Sequence, residues 1–300
     1  MADMTDTPFN LVCKEHGAPL IFREMVSSEA ITRGNEKTER MIDIEDAERP
    51  VIQQVFGSDP ERMAEAARII VEHAHPEGID INMGCPVYKL TSNFDGASLI
   101  RDPERAGKIV KAVKAAVDVP VSVKTRLGWS DDTDCLEFVK VLEANGADAI
   151  SMHGRTKTQG YMGTANWDRV GEARKNVSVP FLVNGDITDP ASAREALERS
   201  HADGFLIGRG VLGNPWIFQQ LKAELRNDGS YTPPTMEEKI ETILRHADLQ
   251  IERYGERGLI KLRKHLPFYF KGMQGWKDVR SKLVRVETKK ELEEILRSIV

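Results

Sequence analysis

Seven short apolar runs recur along the first two thirds of the chain, and most end in a polar or glycine-containing turn. They are Pro19–Glu24, Val51–Gly57, Gly78–Gly84, Pro120–Gly128, Ala149–Gly154, Pro180–Ile187 and Gly204–Gly210. Helical patterns lie between many of them, and three of these begin with an Asp-Pro pair, at Asp59-Pro60, Asp102-Pro103 and Asp189-Pro190. Aspartate is a favoured N-cap residue and proline suits the first helical position. Strands that alternate with helices at this spacing predict parallel βαβ units.

A closed barrel of such units needs eight strands, so seven runs leave one strand short. The residues from Met1 to Phe9 have the pattern of a loop that follows a strand and leads into a helix over Pro8–His16, with no strand before them. We therefore expect an α/β protein with a (β/α)8 TIM barrel whose first strand is largely missing from the N-terminus. Either the true start lies upstream or the barrel closes imperfectly.

From Gly229 the hydrophobic period changes from strand-like to helical. Thr235 to Glu238 has the pattern of a capping box that opens a helix, a helical region over Gly258–Gly272 is interrupted by Pro267, and Thr288 begins a last helix. We predict a catalytic barrel domain over residues 1–228 and a small all-α domain over residues 235–300.

Composition narrows the class of protein. No run approaches the roughly 20 apolar residues that span a bilayer, and the N-terminus lacks the regions of a signal peptide, so a cytoplasmic location is expected. The cysteines, Cys13, Cys85 and Cys135, are odd in number and far apart, which predicts neither a disulfide framework nor a metal site.

The net charge of −5 argues against a protein that coats nucleic acid over its whole surface. Positive charge is instead local, because nine basic residues and one acid, Asp278, lie between residues 257 and 285. The nine are Arg257, Lys261, Arg263, Lys264, Lys271, Lys277, Arg280, Lys282 and Arg285. Such a run is usually solvated surface, but its imbalance favours contact with RNA.

The run over Gly78–Gly84 stops at a Gly84-Cys85-Pro86 corner. Gly84 permits a positive φ and Pro86 fixes the next φ, so the corner is expected to present the Cys85 thiol at the carboxyl end of a strand, where α/β proteins place their chemistry. The alternative is that Cys85 is a small buried residue, since free cysteine usually is.

The other runs also carry polar groups at their carboxyl ends, which would converge on one face of a barrel. These groups are Gln53, Gln54, Lys124, Arg126, His153, Arg155, Asn184, Gly185, Asp186, Gly208, Arg209 and Gly210. Glycine-containing loops after the last two strands are where barrels bind phosphate. Taken singly, each loop is better explained as a turn without function, and His153 or Gln54 as a structural hydrogen-bonding residue. Together, on consecutive strands, the two loops indicate a phosphorylated ligand.

Five ordered motifs over nearly the whole chain resemble those of the tRNA-dihydrouridine synthases. They are Ile81-Asn82-Met83-Gly84-Cys85-Pro86, Val123-Lys124-Thr125-Arg126-Leu127-Gly128, Met152-His153-Gly154-Arg155-Thr156, Asn184-Gly185-Asp186-Ile187, and Gly208-Arg209-Gly210 with Asn214-Pro215-Trp216. The resemblance implies an FMN enzyme that uses NADPH to reduce uridine in tRNA, with hydride going to C6 of the uracil and a proton from Cys85 to C5.

The resemblance also implies roles for other residues. Asn82 and Arg126 would hold the uracil, while Gln54 and Lys124 would contact the flavin ring. His153 would lie on the flavin side, and backbone at Met1 and Ala2 would touch the flavin. The ribityl phosphate would be bound by Asn184, Gly185, Asp186, Gly208 and Arg209. Arg263 and Lys264 would contact tRNA. Independently of the resemblance, nothing in the sequence demands more than a monomer, and no metal is expected.

Two other functions are compatible with the sequence. One is a different flavin barrel that reduces a free pyrimidine or an enone, which would not need a basic helical domain. The other is an RNA-binding protein whose flavin site is disabled by the missing strand. Flavin content and reduction of free uracil distinguish them.

Overall fold

The structure, a computed structural model, describes residues 1–226, 231–273 and 276–299. The chain divides into two compact units. The first comprises Met1–Asp3, Leu20–Ile187 and Ala191–Gly208, and the second comprises Met4–Pro19, Thr188–Pro190 and the described part of Arg209–Val300. The predicted boundary at residue 228 and Gly229 lie outside the described residues, so the proposed domain limits stay a prediction.

The first unit is built on one all-parallel sheet. Its strands are β1 (Ile21–Phe22), β2 (Val26–Ser27), β3 (Val51–Phe56), β4 (Gly78–Met83), β5 (Val121–Arg126), β6 (Ala149–His153), β7 (Phe181–Asn184) and β8 (Gly204–Leu206). Their order is β1-β3-β4-β5-β6-β7-β8, and β2 also pairs with β3. All seven predicted strands are confirmed, in a TIM-barrel-like arrangement with a helical C-terminal region.

The sequence pattern did not predict β2. Ile21 pairs with Val51 and Val26 pairs with Val55, so β1 and β2 lie along the same edge of β3. They are two short pieces of one strand position, separated at Arg23–Met25. The described residues therefore form a row of seven strand positions from β1 and β2 to β8.

Helices follow most strands, as the alternation predicts. The first unit carries α2 (Ser28–Thr32), α3 (Glu36–Ile42), α4 (Pro60–Ala74), α5 (Tyr88–Thr91), α6 (Pro103–Ala116), α7 (Asp134–Ala144), α8 (Trp167–Arg174) and most of α9 (Pro190–Ser200), with 3₁₀ helices over Asp46–Glu48 and Gly96–Arg101. The Asp59 and Asp102 carboxylates accept hydrogen bonds from the backbone N–H groups of Arg62 and Arg105, so the predicted N-caps of α4 and α6 are confirmed.

Side chains alternate between the two faces of each strand. On one face of the central strands they are apolar and fully buried, as Ile79, Ile81, Val121 and Val123 are. The positions between them are polar, beginning with Asp80. An apolar face packs under helices and a polar face lines the interior, so the sheet assembles the candidate chemistry on its inner side.

The second unit is helical. It contains α1 (Thr7–Glu15), α10 (Ile217–Arg226), α11 (Met236–Tyr254), α12 (Gly258–Leu262), α13 (Leu266–Tyr269), α14 (Trp276–Leu283) and α15 (Lys289–Arg297), after a 3₁₀ helix over Arg209–Val211. Capping boxes at Thr235 and Thr288 open α11 and α15 as predicted. Apolar side chains from several helices form its core, including Trp216, Ile243, Leu262, Leu283 and Leu292.

Among the described residues, we find no helix with the length and hydropathy needed to cross a bilayer.

Candidate active site

The strand register brings the predicted residues into adjacent rows on the polar face. Paired Cα positions align Gln54 with Asp80 and Asp80 with Ser122; Asn82 with Lys124 and Lys124 with Ser151; and Arg126 with His153 and His153 with Asn184. Six residues named from sequence therefore share one face: Gln54, Asn82, Lys124, Arg126, His153 and Asn184. These residues lie towards the carboxyl ends of the parallel strands, where α/β barrels carry out their chemistry.

Cys85 lies directly after β4 and is half-buried, whereas Cys13 and Cys135 are buried. Burial raises the pKa of both buried thiols, which makes them poor nucleophiles and poor proton donors near neutral pH. The Cys85 backbone is fixed on both sides. Its N–H donates to Asn82 Oδ1 at 2.9 Å, and its carbonyl accepts from the Ala97 N–H at 3.1 Å.

The glycine that needs a positive φ at this corner is Gly96, not Gly84 as the sequence suggested. Gly96 has φ of 59°, and a Cβ there would stand 2.9 Å from the Cys85 carbonyl oxygen. Gly84 does not have a positive φ; a Cβ on it would lie 3.2 Å from the Thr125 carbonyl carbon. Glycine is therefore favoured at position 84 because β4 and β5 approach closely at the corner, where a Cβ would make tight contacts with the β5 backbone.

Four polar side chains behind Cys85 are joined by hydrogen bonds. The Asp80 carboxylate accepts from Ser122 Oγ and from Gln54 Nε2, each at 2.6 Å. Gln54 Oε1 accepts from Asn82 Nδ2 at 2.8 Å, and Asn82 Oδ1 accepts from the Gly84 and Cys85 N–H groups. Gln54 and Asn82 are site residues predicted from the sequence, whereas Asp80 and Ser122 are not. The available signal was a carboxylate inside an apolar strand.

Lys124 provides positive charge on this face and interacts electrostatically with Cys85. Burial and the neighbouring Arg126 lower the pKa of Lys124, and the negative charge of Asp80 opposes them. Burial raises the pKa of Asp80, against the hydrogen bonds from Ser122 and Gln54 and the charge of Lys124. The opposite charges of Lys124 and Asp80 thus stabilise one another in a poorly solvated environment.

Arg126 is 2% exposed and connects two loops. Its Nε donates to the Gly84 carbonyl at 2.7 Å, and one terminal nitrogen donates to the Thr156 and Gly160 carbonyls at 3.1 and 2.9 Å. The guanidinium also lies 5.7 Å from the ring centre of Tyr161. These contacts fix the Cys85 corner to the loop that follows β6; its predicted contact with the uracil stays a prediction.

Arg155, which has no role predicted from the sequence, also connects two loops. It forms a bidentate ion pair with Asp186 at 2.9 and 2.7 Å and donates to the Met162 and Gly163 carbonyls. It also lies 3.2 Å from His153 Nε2. Because a guanidinium only donates, Nε2 must accept, which places the proton of a neutral His153 on Nδ1.

The two glycine loops differ in what they leave accessible. Gly185 has φ of 112°, and a Cβ there would lie 2.6 Å from His153 Cδ2, so only glycine fits. A Cβ on Gly208 would meet only Met1 Sδ, at 3.8 Å, so its backbone can be approached closely. The Asn184 amide donates to the Leu206 carbonyl at 2.6 Å, which ties β7 to β8. The phosphate roles of these residues stay predictions.

Five other predicted site residues lie outside the paired strands; of these, the Met1 amino group interacts electrostatically with Lys124 and Glu24. Met1 is half-buried and Ala2 is exposed at the start of the first unit. Arg209 begins the described 3₁₀ helix of the second unit. Arg263 donates to the Val286 and Arg285 carbonyls at 2.8 and 3.1 Å, and Lys264 is half-buried.

Six other members of the basic run are exposed in the second unit. Arg257, Lys261, Lys271, Arg280, Lys282 and Arg285 are exposed, whereas Lys277 lies outside the described side chains. Lys261 Nζ lies 3.7 Å from the ring centre of Tyr254. We call these six residues the basic surface.

A cavity of about 490 Å³ lies among the loops of the first unit, lined by Ser130, Asp131, Asp132, Thr156, Thr158 and Gln159. Two carboxylates in its wall disfavour a phosphorylated ligand. The polar face of the sheet is therefore the better candidate for the cofactor.

Comparison with known proteins gives one family. The family model described as "Dihydrouridine synthase (Dus)" matches residues 1–300. The chain is 38% identical over 277 residues to tRNA-dihydrouridine synthase B of Pasteurella multocida, covering 91% of this chain and 83% of that protein. It is 40% identical over 272 residues to a probable tRNA-dihydrouridine synthase of Rhodobacter capsulatus, covering 90% and 84%.

Solved structures with low identity share the fold. Histamine dehydrogenase from Rhizobium sp. 4-9 aligns with a TM-score of 0.56 at 14% identity, over 82% of this chain and 47% of that one. An old yellow enzyme homologue from Zymomonas mobilis aligns with a TM-score of 0.53 at 15% identity, over 80% and 88%.

Proposed function

The chain belongs to the dihydrouridine synthase family, and we propose that it reduces the C5–C6 double bond of uridine in tRNA to give 5,6-dihydrouridine. We further propose FMN as the bound cofactor and NADPH as the reductant. The observation that carries the proposal is the half-buried Cys85, placed after β4 beside Lys124 on the polar face of the sheet. This position supports the proposed role of Cys85 as the proton donor.

The residues of the polar face suit a flavin. Lys124 offers a cation, His153 and Asn184 offer polar groups, and the accessible Gly208 backbone suits a phosphate. Gln54 would contact the ring with an amide that is already oriented by Asp80 and Asn82. When bound, the flavin supplies the hydride that adds to C6 of the uracil.

The Asp186 carboxylate requires a separate account. It is held by two hydrogen bonds from Arg155 and one from the Ala165 N–H at 2.8 Å. A carboxylate would repel a phosphate, so we propose that Asp186 acts by fixing the loop through Arg155. Gly185 would act in the same way, by letting that loop pack against His153.

Cys85 completes the reduction by giving its thiol proton to C5 as hydride reaches C6. Hydride plus proton saturate the double bond, and the resulting thiolate takes a proton from solvent. Lys124 supplies positive charge beside the thiol, which stabilises negative charge that develops on the uracil during transfer. Asn82 and Arg126 hold the corner that positions Cys85.

The target base must leave its stack to reach a site on the sheet, so the substrate enters with the base flipped out. We propose that the basic surface contacts the phosphates of tRNA, because charge contacts of this kind give affinity and register. Arg263 and Lys264 would contribute from half-buried positions. A cytoplasmic, monomeric enzyme remains our expectation.

The test is to incubate the purified, flavin-loaded protein with NADPH and an unmodified tRNA transcript and to measure dihydrouridine by mass spectrometry of the digested nucleosides. Free uridine and free uracil serve as parallel substrates. Dihydrouridine in the transcript alone supports the proposal. Reduction of the free pyrimidines with an unchanged transcript would contradict it and favour a small-molecule reductase.

A further inference from the structure

The four side chains behind Cys85 form a chain of hydrogen bonds with a fixed direction. At one end is Asp80, which is 0% exposed and whose carboxylate only accepts hydrogen bonds. At the other end are the Gly84 and Cys85 N–H groups, which only donate. Between them lie the amides of Gln54 and Asn82, 8% and 7% exposed, and each amide could in principle be turned either way.

The acceptor at Asp80 determines how both amides are turned. Gln54 must present Nε2 to the carboxylate, which directs its Oε1 towards Asn82. Asn82 must then present Nδ2 to Gln54, which directs its Oδ1 towards the Cys85 N–H at 2.9 Å. A reversed Asn82 would set its NH₂ group against the two backbone N–H groups and leave them without an acceptor, which is costly in a buried site.

We propose that Asp80 is a positioning residue for Cys85, acting through the ordered amides of Gln54 and Asn82. Asp80 does not contact the thiol. Its charge fixes the direction of the chain and so keeps the backbone of the catalytic corner in one conformation. The importance of Asp80 for catalysis rests on the proposed function of Cys85. The hydrogen-bond geometry that positions Cys85 does not depend on that function.

The experiment measures how fast an alkylating reagent labels Cys85 in the purified protein, read from the Cys85 peptide by mass spectrometry. Labelling is followed at a pH well above the pKa of Asp80, and flavin content is recorded for each variant. Asp80→Asn removes the charge and lets the amides turn. We expect the Cys85 labelling rate to rise about fivefold or more as the corner loosens, the factor that corresponds to roughly 1 kcal/mol.

Ser122→Ala is the matched control. It removes the other hydrogen bond to Asp80 but leaves the carboxylate and the direction of the chain. We expect the labelling rate of Cys85 in this variant to stay within about twofold of the wild type, since the lost bond affects neither amide.

A second variant moves the carboxylate one position along the chain. In Asp80→Asn combined with Gln54→Glu, the new carboxylate accepts from the new amide at 80 and from Asn82 Nδ2. Asn82 is then again directed towards Cys85, so the labelling rate should return towards the wild-type value. Gln54→Glu alone places two carboxylates together and should not protect Cys85.

Three outcomes would overturn the proposal. They are a wild-type labelling rate in Asp80→Asn, a double variant that labels as fast as Asp80→Asn, and a double variant that does not fold. A purely structural role for Asp80 predicts no rescue. Labelling needs no turnover, so its result stands even if the transcript assay contradicts the proposed function.

In the active enzyme, the same variants separate positioning from binding. Asp80→Asn should lower kcat while KM for tRNA stays within about twofold, because the basic surface is unchanged. A rise in KM with unchanged kcat would contradict the role of Asp80 at Cys85.

Discussion

Replacement of Arg126 by methionine tests whether this residue holds the active-site loops together. Arg126 is almost completely buried and donates to the carbonyls of Gly84, Thr156 and Gly160. Methionine fills similar space but donates nothing. Three lost hydrogen bonds at about 1 to 1.5 kcal/mol each predict that the free energy of unfolding falls by about 3 to 4.5 kcal/mol.

The assay is urea unfolding of wild type and variant, with limited proteolysis to locate the loosened segment. Lys108→Met is the control, because Lys108 forms only an exposed ion pair with Glu104 and should change the free energy by less than about 1 kcal/mol. We expect new cleavage in the loop between Thr156 and Gly163 of Arg126→Met. A fall in the free energy of unfolding below about 1 kcal/mol, without new cleavage, would refute the role of Arg126 in holding the loops together.

Arg126→Lys distinguishes two roles of Arg126, which are holding the loops together and contacting the uracil directly. Lysine keeps the charge but cannot reach three carbonyls with a planar fork. If Arg126 acts by holding the loops together, the lysine variant should be nearly as unstable as the methionine variant.

Three further predictions concern other parts of the chain. Gly96→Ala should lower turnover and stability together, by about 1 to 2 kcal/mol in the free energy of unfolding, because φ is positive there and the new Cβ would press on the Cys85 carbonyl; wild-type stability would contradict it. Burial lowers the pKa of His246 well below its usual value, so the unfolded chain binds the proton more readily and stability should fall as pH drops below about 6.5. Urea unfolding across that range should show a shallower fall in His246→Gln, and an equal slope would contradict it. Lys282→Glu with Arg285→Glu should weaken tRNA binding at least tenfold at low salt and reduce its salt dependence, as measured by filter binding; unchanged affinity would exclude this part of the basic surface.

The charge reversal needs a matched control. Lys290 is also exposed but lies on α15, outside the basic surface. Lys290→Glu should change tRNA affinity by less than about twofold if the basic surface is the docking site. An equal loss of binding free energy per reversed charge in both variants would mean that net charge alone is responsible.

The sequence predicted the strands because both faces of each run are constrained. Buried outer positions such as Ile79 and Ile81 must be apolar, and turn residues such as Gly57 and Gly154 follow the strand ends. The hydrophobic period and the turn residues therefore indicate the same strand boundaries. β2 was missed because two residues, Val26 and Ser27, carry no periodic signal.

The sequence predicted which residues form the candidate site better than it predicted the contacts between them. Motif residues such as Lys124 and Cys85 could be named from the sequence, because burying a polar group at a strand end costs free energy unless the group has a partner. Their partners depend on register between strands far apart in sequence. The link from Asp80 to Ser122 and Gln54 therefore needed the structure.

Local geometry was the least predictable level. Sequence suggested a positive φ at Gly84, yet the structure places it at Gly96, 11 positions further along the chain, where a Cβ would press on the Cys85 carbonyl. Arg263 likewise reads as a free cation in the sequence but uses its donors on the Val286 and Arg285 carbonyls. Charge is visible in a sequence, whereas the acceptors that a folded chain offers are not.

The most direct test of the central claim is a single-turnover measurement with Cys85→Ala. Reduced, flavin-loaded protein is mixed with unmodified tRNA, and dihydrouridine formation is followed by mass spectrometry, with Cys13→Ala and Cys135→Ala as controls at the two buried thiols. Loss of the proton donor should slow formation by about 10²–10⁴-fold in the Cys85 variant only, with unchanged tRNA binding. Wild-type dihydrouridine formation by Cys85→Ala would contradict the account.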